Sequence, residues 1–182
     1  MDPLPVELRR EPALISAGER APLERPSHVL ADGGVAMVDV GHKAATERFA
    51  HARAFVRMPE RAEAALRAAT VAKGDAFTTA QIAGILAAKA TASLIPLAHP
   101  LPLAKVDVAF AWAGGGLLQI DATASTMAAT GVEMEAMTAA SVAALTIYDM
   151  TKSLDKGIAI ESVRLIEKRG GKSGTWRVAA EP

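Results

Sequence analysis

Lys105-Val106-Asp107-Val108-Ala109-Phe110-Ala111-Trp112-Ala113, then Gly114-Gly115-Gly116, then Leu117-Leu118-Gln119-Ile120-Asp121-Ala122-Thr123-Ala124-Ser125, is the stretch on which the fold turns. Val106 and Val108 alternate with polar or small residues, and Leu118, Ile120 and Ala122 do the same. Period two is the mark of a strand with one buried face. Two such runs joined by three glycines make a hairpin.

Outward toward the N-terminus comes Leu94 to Leu103, with prolines at 96, 100 and 102. Proline excludes helix and sheet interior, so this is a stiff apolar loop, and it carries His99. Before it, Thr78 and Gln81 stand in capping-box spacing ahead of a helix that runs to about Ala92, with Ile82, Ile85 and Leu86 on its apolar side. Lys73-Gly74-Asp75 separates that helix from another, which starts at Pro59 and ends near Val71. Arg48 to Arg57 alternates Ala50, Ala52, Ala54 and Val56 against Phe49, His51, Arg53 and Phe55, so it reads as a strand. Outward toward the C-terminus, a long helix runs from about Glu133 to Lys156, with Gly157 as its stop. Ile158 to Lys168 is a last strand, Gly170 to Gly174 a loop, and Trp176 to Val178 a short further strand. The order β, α, α, β, β, α, β predicts an α+β domain. It is ferredoxin-like, β-α-β-β-α-β, with an antiparallel sheet, helices on one face and an extra helix in the first crossover.

The sequence has 182 residues, 20 Lys+Arg against 20 Asp+Glu, no cysteine and 4% aromatics. Neutral charge and few aromatics argue against a nucleic-acid-binding sheet. Without cysteine there is no disulfide, thiolate metal cage or cysteine nucleophile, which fits a cytoplasmic location. Alanine supplies 40 of the 182 residues, so the core has to rely on close approach of small side chains. No run is long and apolar enough for a membrane helix, and Met1-Asp2-Pro3 does not open a secretory signal. Residues 1–34 hold five of the ten prolines and read as a flexible extension, leaving 35–182 as a single domain.

Three groups of residues invite chemistry. His99 has its backbone fixed by prolines; local sequence is level between a ring held for proton transfer and a satisfied buried histidine. Glu133 and Glu135 open the long helix, which favours them through its macrodipole; they would equally serve as a pair of acceptors for a purine-like ring. Asp149, Lys152 and Lys156 form one stripe among Ala143, Ala144, Leu145, Ile147 and Met150. A largely buried helix at that point predicts pKa values moved toward neutrality. Lys172-Ser173 after two glycines does not fit the phosphate-loop motif, because Ile166 stands where glycine is required, and the loop reads equally as a solvated loop or as one holding a phosphate through its backbone N–H groups and lysine. The histidines have no zinc-ligand spacing, so no metal site is expected.

Gly131-Val132-Glu133-Met134-Glu135-Ala136-Met137-Thr138-Ala139-Ala140-Ser141-Val142-Ala143-Ala144-Leu145-Thr146-Ile147-Tyr148-Asp149-Met150, followed by Lys152, resembles the signature of the MoaC family. Met37-Val38-Asp39-Val40, Lys73-Gly74-Asp75, Leu94 to Leu101 and Gly170-Gly171-Lys172-Ser173-Gly174 resemble it too. The resemblance spans roughly 35–178. It implies a cyclic pyranopterin monophosphate synthase of molybdenum cofactor biosynthesis, a pyrophosphate-releasing lyase that rearranges cyclised dihydro-GTP. It implies a homohexamer, a trimer of dimers, with active sites at subunit interfaces. Asp149, Lys73 and Lys152 match the family's catalytic positions. Leu97, Ala98, His99, Glu133, Met134, Glu135, Asp39, Lys43, Arg48 and Lys168 match its substrate-binding positions. No resident cofactor is implied beyond Mg²⁺ accompanying the substrate phosphates, and the partner is a purine nucleotide rather than nucleic acid or membrane. The chain departs from the family's usual pattern at Ala98, which replaces a cysteine, and at Ala128 and Ala129, where glycine followed by lysine or another polar residue is common. A relative that binds nucleotide without turnover is the alternative those departures suggest.

Overall fold

A computed structural model describes residues 34–179. The extension expected over 1–34 lies outside the described residues apart from Gly34. Along the chain come β1 (Thr46–Arg57), α1 (Glu60–Arg67), α2 (Ala76–Lys89), α3 (Thr91–Leu94), β2 (Lys105–Trp112), β3 (Leu117–Ala128), α4 (Glu133–Thr151), β4 (Ala159–Arg169) and β5 (Trp176–Arg177). The five strands form one sheet in the order β2-β3-β1-β4-β5, and every neighbouring pair is antiparallel. The hairpin forms as expected, and its register sets Ala109 opposite Asp121. The first four strands have the ferredoxin-like arrangement, and β5 extends its edge.

The alternation in β1 is realised as expected: Ala50, Ala52, Ala54 and Val56 are fully buried. They meet α4, whose Ala136, Ala139, Ala140, Ala143, Ala144 and Ile147 are fully buried as well. A buried methyl group contributes only about 0.8 kcal/mol, roughly half or less of a buried leucine, so this core depends on number and closeness. Closeness is visible at Gly84, where an added Cβ would stand 3.0 Å from the Ala139 carbonyl oxygen and 3.1 Å from Val108 Cγ2. Helices α2 and α4 therefore touch backbone to backbone.

That contact overturns part of the expected facing of α2, of whose expected apolar side only Ile85 packs against the core. Its buried residues are Ala76, Ala80, Gly84, Ala87 and Ala88. Ile82 and Leu86 are more than half exposed, because only small side chains fit between the two helices. The expected Thr78–Gln81 capping box does not form either. Asp75 is the N-cap and accepts from Thr78 N at 3.0 Å, while Gln81 Nε2 reaches across to donate to the Val108 carbonyl on the edge strand. Helix α1 ends at Arg67, short of Val71, and α4 ends at Thr151, short of Gly157.

On the sheet face away from α4, Asp121 accepts from His51 Nε2 at 2.6 Å, Arg53 Nε at 2.8 Å and Gln119 Nε2 at 2.5 Å. Burial pushes its carboxyl up, but these hydrogen bonds outweigh burial and hold it below the usual carboxylate range. His51 thus has a structural partner.

Candidate active site

At the C-terminal end of α4, Asp149 stands between two lysines. Its Oδ1 lies 2.6 Å from Lys152 Nζ, and its Oδ2 lies 2.8 Å from Lys73 Nζ. Lys152 is one helical turn on, the ordinary spacing of an intrahelical ion pair. Lys73 arrives from the turn before α2 and also donates to the Asp149 main-chain carbonyl at 2.8 Å. That carbonyl is among the last four of the helix and has no partner within it. Lys73 therefore satisfies one of the terminal carbonyls of α4, which ends short of Gly157.

The three side chains are about half exposed. For Asp149 and Lys152 the shifts run opposite to the sequence-based expectation. Hydrogen bonds from Lys152 and then Lys73 lower the Asp149 carboxyl to about 2. The Asp149 carboxylate pushes the Lys152 ammonium up. Pairing in the presence of solvent stabilises both charged forms, whereas the expected drift toward neutrality needed burial. At neutral pH the resting group is one carboxylate flanked by two ammoniums.

At the other end of α4 lie two cavities. The larger, about 830 Å³, is lined by Lys43, Arg48, Ala129, Glu133, Lys168 and the 171–173 loop. Arg48 Nε and Nη2 donate to the carbonyls of Ala128 and Ala129 at 3.1 and 3.2 Å. Lys168 pairs with Glu133 at 2.9 Å. Gly170 and Gly171 let the loop close over β1: a Cβ on Gly170 would lie 2.0 Å from the Glu47 carbonyl oxygen, and one on Gly171 2.0 Å from Arg48 Nη1. Both have positive φ.

The smaller cavity, about 410 Å³, is lined by His99, Glu135, Lys89 and Ser93 among others. His99 Nε2 is 2.9 Å from the Val38 carbonyl oxygen. A carbonyl only accepts, so Nε2 carries the hydrogen and Nδ1 is left able to take a proton. Glu135 is buried, and that burial, with Glu133 nearby, raises its carboxyl above the usual range.

Of the substrate-binding positions of the sequence analysis, Lys43, Arg48, Glu133 and Lys168 line the larger cavity and His99 and Glu135 the smaller, whereas Leu97, Ala98, Met134 and Asp39 line neither. Glu133 and Glu135 do not act side by side as a pair of acceptors. Two residues apart on a helix they point in nearly opposite directions, and each lines a different cavity. Leu97 and Ala98 form the half-buried turn before His99, closed by Ala98 N donating to the Ile95 carbonyl at 3.0 Å. Asp39 accepts from Gly41 N at 2.8 Å and so shapes the turn that presents Lys43. Met134 is exposed on the first turn of α4. Lys89, Ser93 and His42 line the cavities and were not singled out in the sequence. Lys89 sits in the last turn of α2, where a cation already has a helix-dipole explanation. Among the described residues no cluster of three or more His, Asp or Glu is arranged to hold a metal, and no helix is long and apolar enough to cross a membrane.

The Lys73–Asp149–Lys152 group and the two cavities lie at opposite ends of α4. Glu133 and Asp149 are sixteen positions apart, or about 24 Å at roughly 1.5 Å per residue.

The model of the MoaC family matches residues 37–171. A protein of Novosphingobium aromaticivorans named cyclic pyranopterin monophosphate synthase is 56% identical over 153 residues, covering 84% of this chain and 97% of its own. One of the same name from Bordetella avium is 56% identical over 152 residues, 83% and 94% of the two chains. One from Listeria welshimeri is 51% identical over 144 residues, 79% and 90%.

Proposed function

This chain belongs to the MoaC family, and from that membership we propose that it is a cyclic pyranopterin monophosphate synthase acting in molybdenum cofactor biosynthesis. The reaction we assign is a lyase reaction. Cyclised dihydro-GTP is rearranged to the pyranopterin, a cyclic phosphate closes and pyrophosphate leaves. The observation that carries this reading is the Asp149 carboxylate held between the Lys73 and Lys152 ammoniums. Opening and reclosing a ring needs positioned groups that deliver and remove protons at the reacting atoms. Asp149 is ionised and Lys152 protonated in the resting group, so the lysines are placed to donate protons and Asp149 to accept one. Lys43, Arg48, Lys168 and Lys172 suit the triphosphate and the departing pyrophosphate, with Mg²⁺ arriving on the phosphates and no resident cofactor. His99, Ala98, Leu97, Met134 and Glu135 suit the base and sugar side.

The site is completed by a second copy of the chain, so that the catalytic end of one α4 meets the binding end of another. The 24 Å separation supports this arrangement. So do the exposed Ile82, Leu86, Leu94 and Leu145, which give the helical layer an apolar outer surface suited to subunit contact. We assign a hexamer, a trimer of dimers, in the cytoplasm.

A binding-only relative is the second reading, favoured by Ala129. The cavity lined by Ala129 nevertheless keeps four cationic side chains, and the Ala129 carbonyl is bonded to Arg48, so the active reading is preferred. The test is to supply the purified protein with cyclised dihydro-GTP and follow pyrophosphate release. Release with pyranopterin formation supports the enzyme. Binding without release supports the relative and makes Ala129→Lys the next variant.

A further inference from the structure

The ion group at the end of α4 depends on a lysine carried by an exposed turn. Residues 72–75 are all exposed, between buried Val71 and buried Ala76. Gly74, next to Lys73, has φ +99, and a Cβ there would meet nothing within 4 Å. Side-chain packing therefore does not hold the turn. It is held by hydrogen bonds: Gly74 N donates to the Val71 carbonyl at 3.0 Å, and the rest converge on Asp75. The Asp75 carboxylate accepts from Thr78 N at 3.0 Å and from Thr78 Oγ1 at 2.5 Å. Its carbonyl accepts from Thr79 N at 3.1 Å and Thr79 Oγ1 at 2.6 Å. These contacts tie residue 75 to the first turn of α2, two residues from the lysine that reaches α4.

We propose that Asp75 is a positioning residue for the reaction: its cap on α2 fixes the turn so that the Lys73 ammonium meets both the carboxylate and the carbonyl of Asp149. Asp75 itself contacts neither Asp149 nor Lys152 in the bonds described, so it acts through Lys73. The inference rests on the reading of Lys73 and Asp149 as catalytic groups. A helix cap stabilises a helix, but here its direction also sets a distance across 76 residues of sequence. Asp, Asn and Ser cap about equally well, and Ala does not. Capping, rather than the charge of Asp75, is therefore what the lysine requires.

The experiment compares Asp75→Ala, Asp75→Asn and Lys73→Ala with wild type by two readouts. One is the ¹⁵Nζ NMR signal of lysine ammoniums at pH 6, where an ammonium held by two acceptors exchanges slowly and Lys73→Ala identifies its signal. The other is kcat and KM for pyrophosphate release from cyclised dihydro-GTP. In Asp75→Ala the Lys73 signal is expected to disappear, with kcat down about tenfold or more and KM within about twofold, as for a misplaced reacting group. Asp75→Asn is expected to keep both, which a need for the charge would not allow. In a Lys73→Ala background, Asp75→Ala is expected to lower kcat no further. A Lys73 signal and kcat unchanged in Asp75→Ala, or no held ammonium in wild type, overturns the proposal. Loss of the signal with unchanged kcat upholds the positioning and refutes the catalytic assignment of the Lys73–Asp149 pair.

Discussion

Replacing Gly171 by alanine tests whether the glycine loop builds the basic cavity. Two costs follow from the geometry. Gly171 has φ +71, where an L-residue pays roughly 1–2 kcal/mol. Its Cβ would also stand 2.0 Å from Arg48 Nη1, so the guanidinium or the loop has to move. If Arg48 moves, its bonds to the Ala128 and Ala129 carbonyls are lost. At about 1 kcal/mol each for this half-buried group, the total is about 3–4 kcal/mol. For a chain of this length that is a fall in Tm of roughly 6–16 °C. If the loop peels away instead, stability falls less, but the cavity loses its cover.

Gly174 provides the matched control. It lies in the same loop with φ +63, and a Cβ there meets nothing within 4 Å. Gly174→Ala pays the backbone cost alone. The assay is a thermal melt together with calorimetric titration of pyrophosphate. Gly171→Ala should lie below Gly174→Ala in Tm and should bind pyrophosphate roughly 10-fold or more weakly, as for a lost charge-assisted contact. In an Arg48→Ala background the two glycine variants should converge, since the collision has gone. Equal melts and equal affinities for Gly171→Ala and Gly174→Ala with Arg48 present would refute the reasoning.

Asp149→Asn should retain substrate binding while kcat falls by ~10² or more, as for a removed acid/base; near-wild-type kcat would take Asp149 out of the reaction. The same variant should lose the acid dependence that Asp149 confers. Its folded pKa is depressed to about 2, so its stabilisation is present above the unfolded value near 4 and fades as pH falls between the two, which melts from pH 5 to pH 2 can follow. Glu135→Gln should show the opposite sign. The folded pKa of Glu135 is raised, so wild type loses stability as pH climbs from about 4.5, and the Gln variant should gain on wild type in melts taken from pH 4 to pH 8. Mixing Asp149→Asn with Arg48→Ala, each of low activity alone, should restore pyrophosphate release if one site draws on two subunits; no recovery after co-refolding would place the whole site in one chain.

Much of the fold was legible because period two survives even in an alanine-rich chain. Ala50, Ala52, Ala54 and Val56 differ little in size from their surroundings, but the residues between them are aromatic or charged, so the buried side stands out. The helices were less legible for the same reason reversed. In α2 the large aliphatics Ile82 and Leu86 look like the core-facing stripe, yet the structure buries Ala80, Gly84 and Ala87. Hydropathy ranks leucine above alanine, but the approach of α4 selects by size. Helix ends failed where their partners are remote: the end of α4 is bonded by Lys73, and no window around residue 151 contains that lysine.

The residues of the candidate site were legible one by one; their charge states and grouping were not. Leu145 and Ile147 made the surroundings of Asp149 read as buried, and burial would have drawn the acid and its lysines toward neutrality. Leu145 is 56% exposed, and Asp149 is about half exposed, so pairing decides the charges instead. That difference constrains the chemistry. A carboxylate held near 2 is a weak proton acceptor at neutral pH until something disturbs its lysines, and a polyanionic substrate would do so by competing for the same ammoniums. Drawing Lys73 or Lys152 toward phosphate would remove the groups that depress Asp149 and raise its pKa when substrate is present. On the proposed function, the exposed ion group is thus the resting half of an acid–base site, and the other half would be the ligand that draws its lysines away.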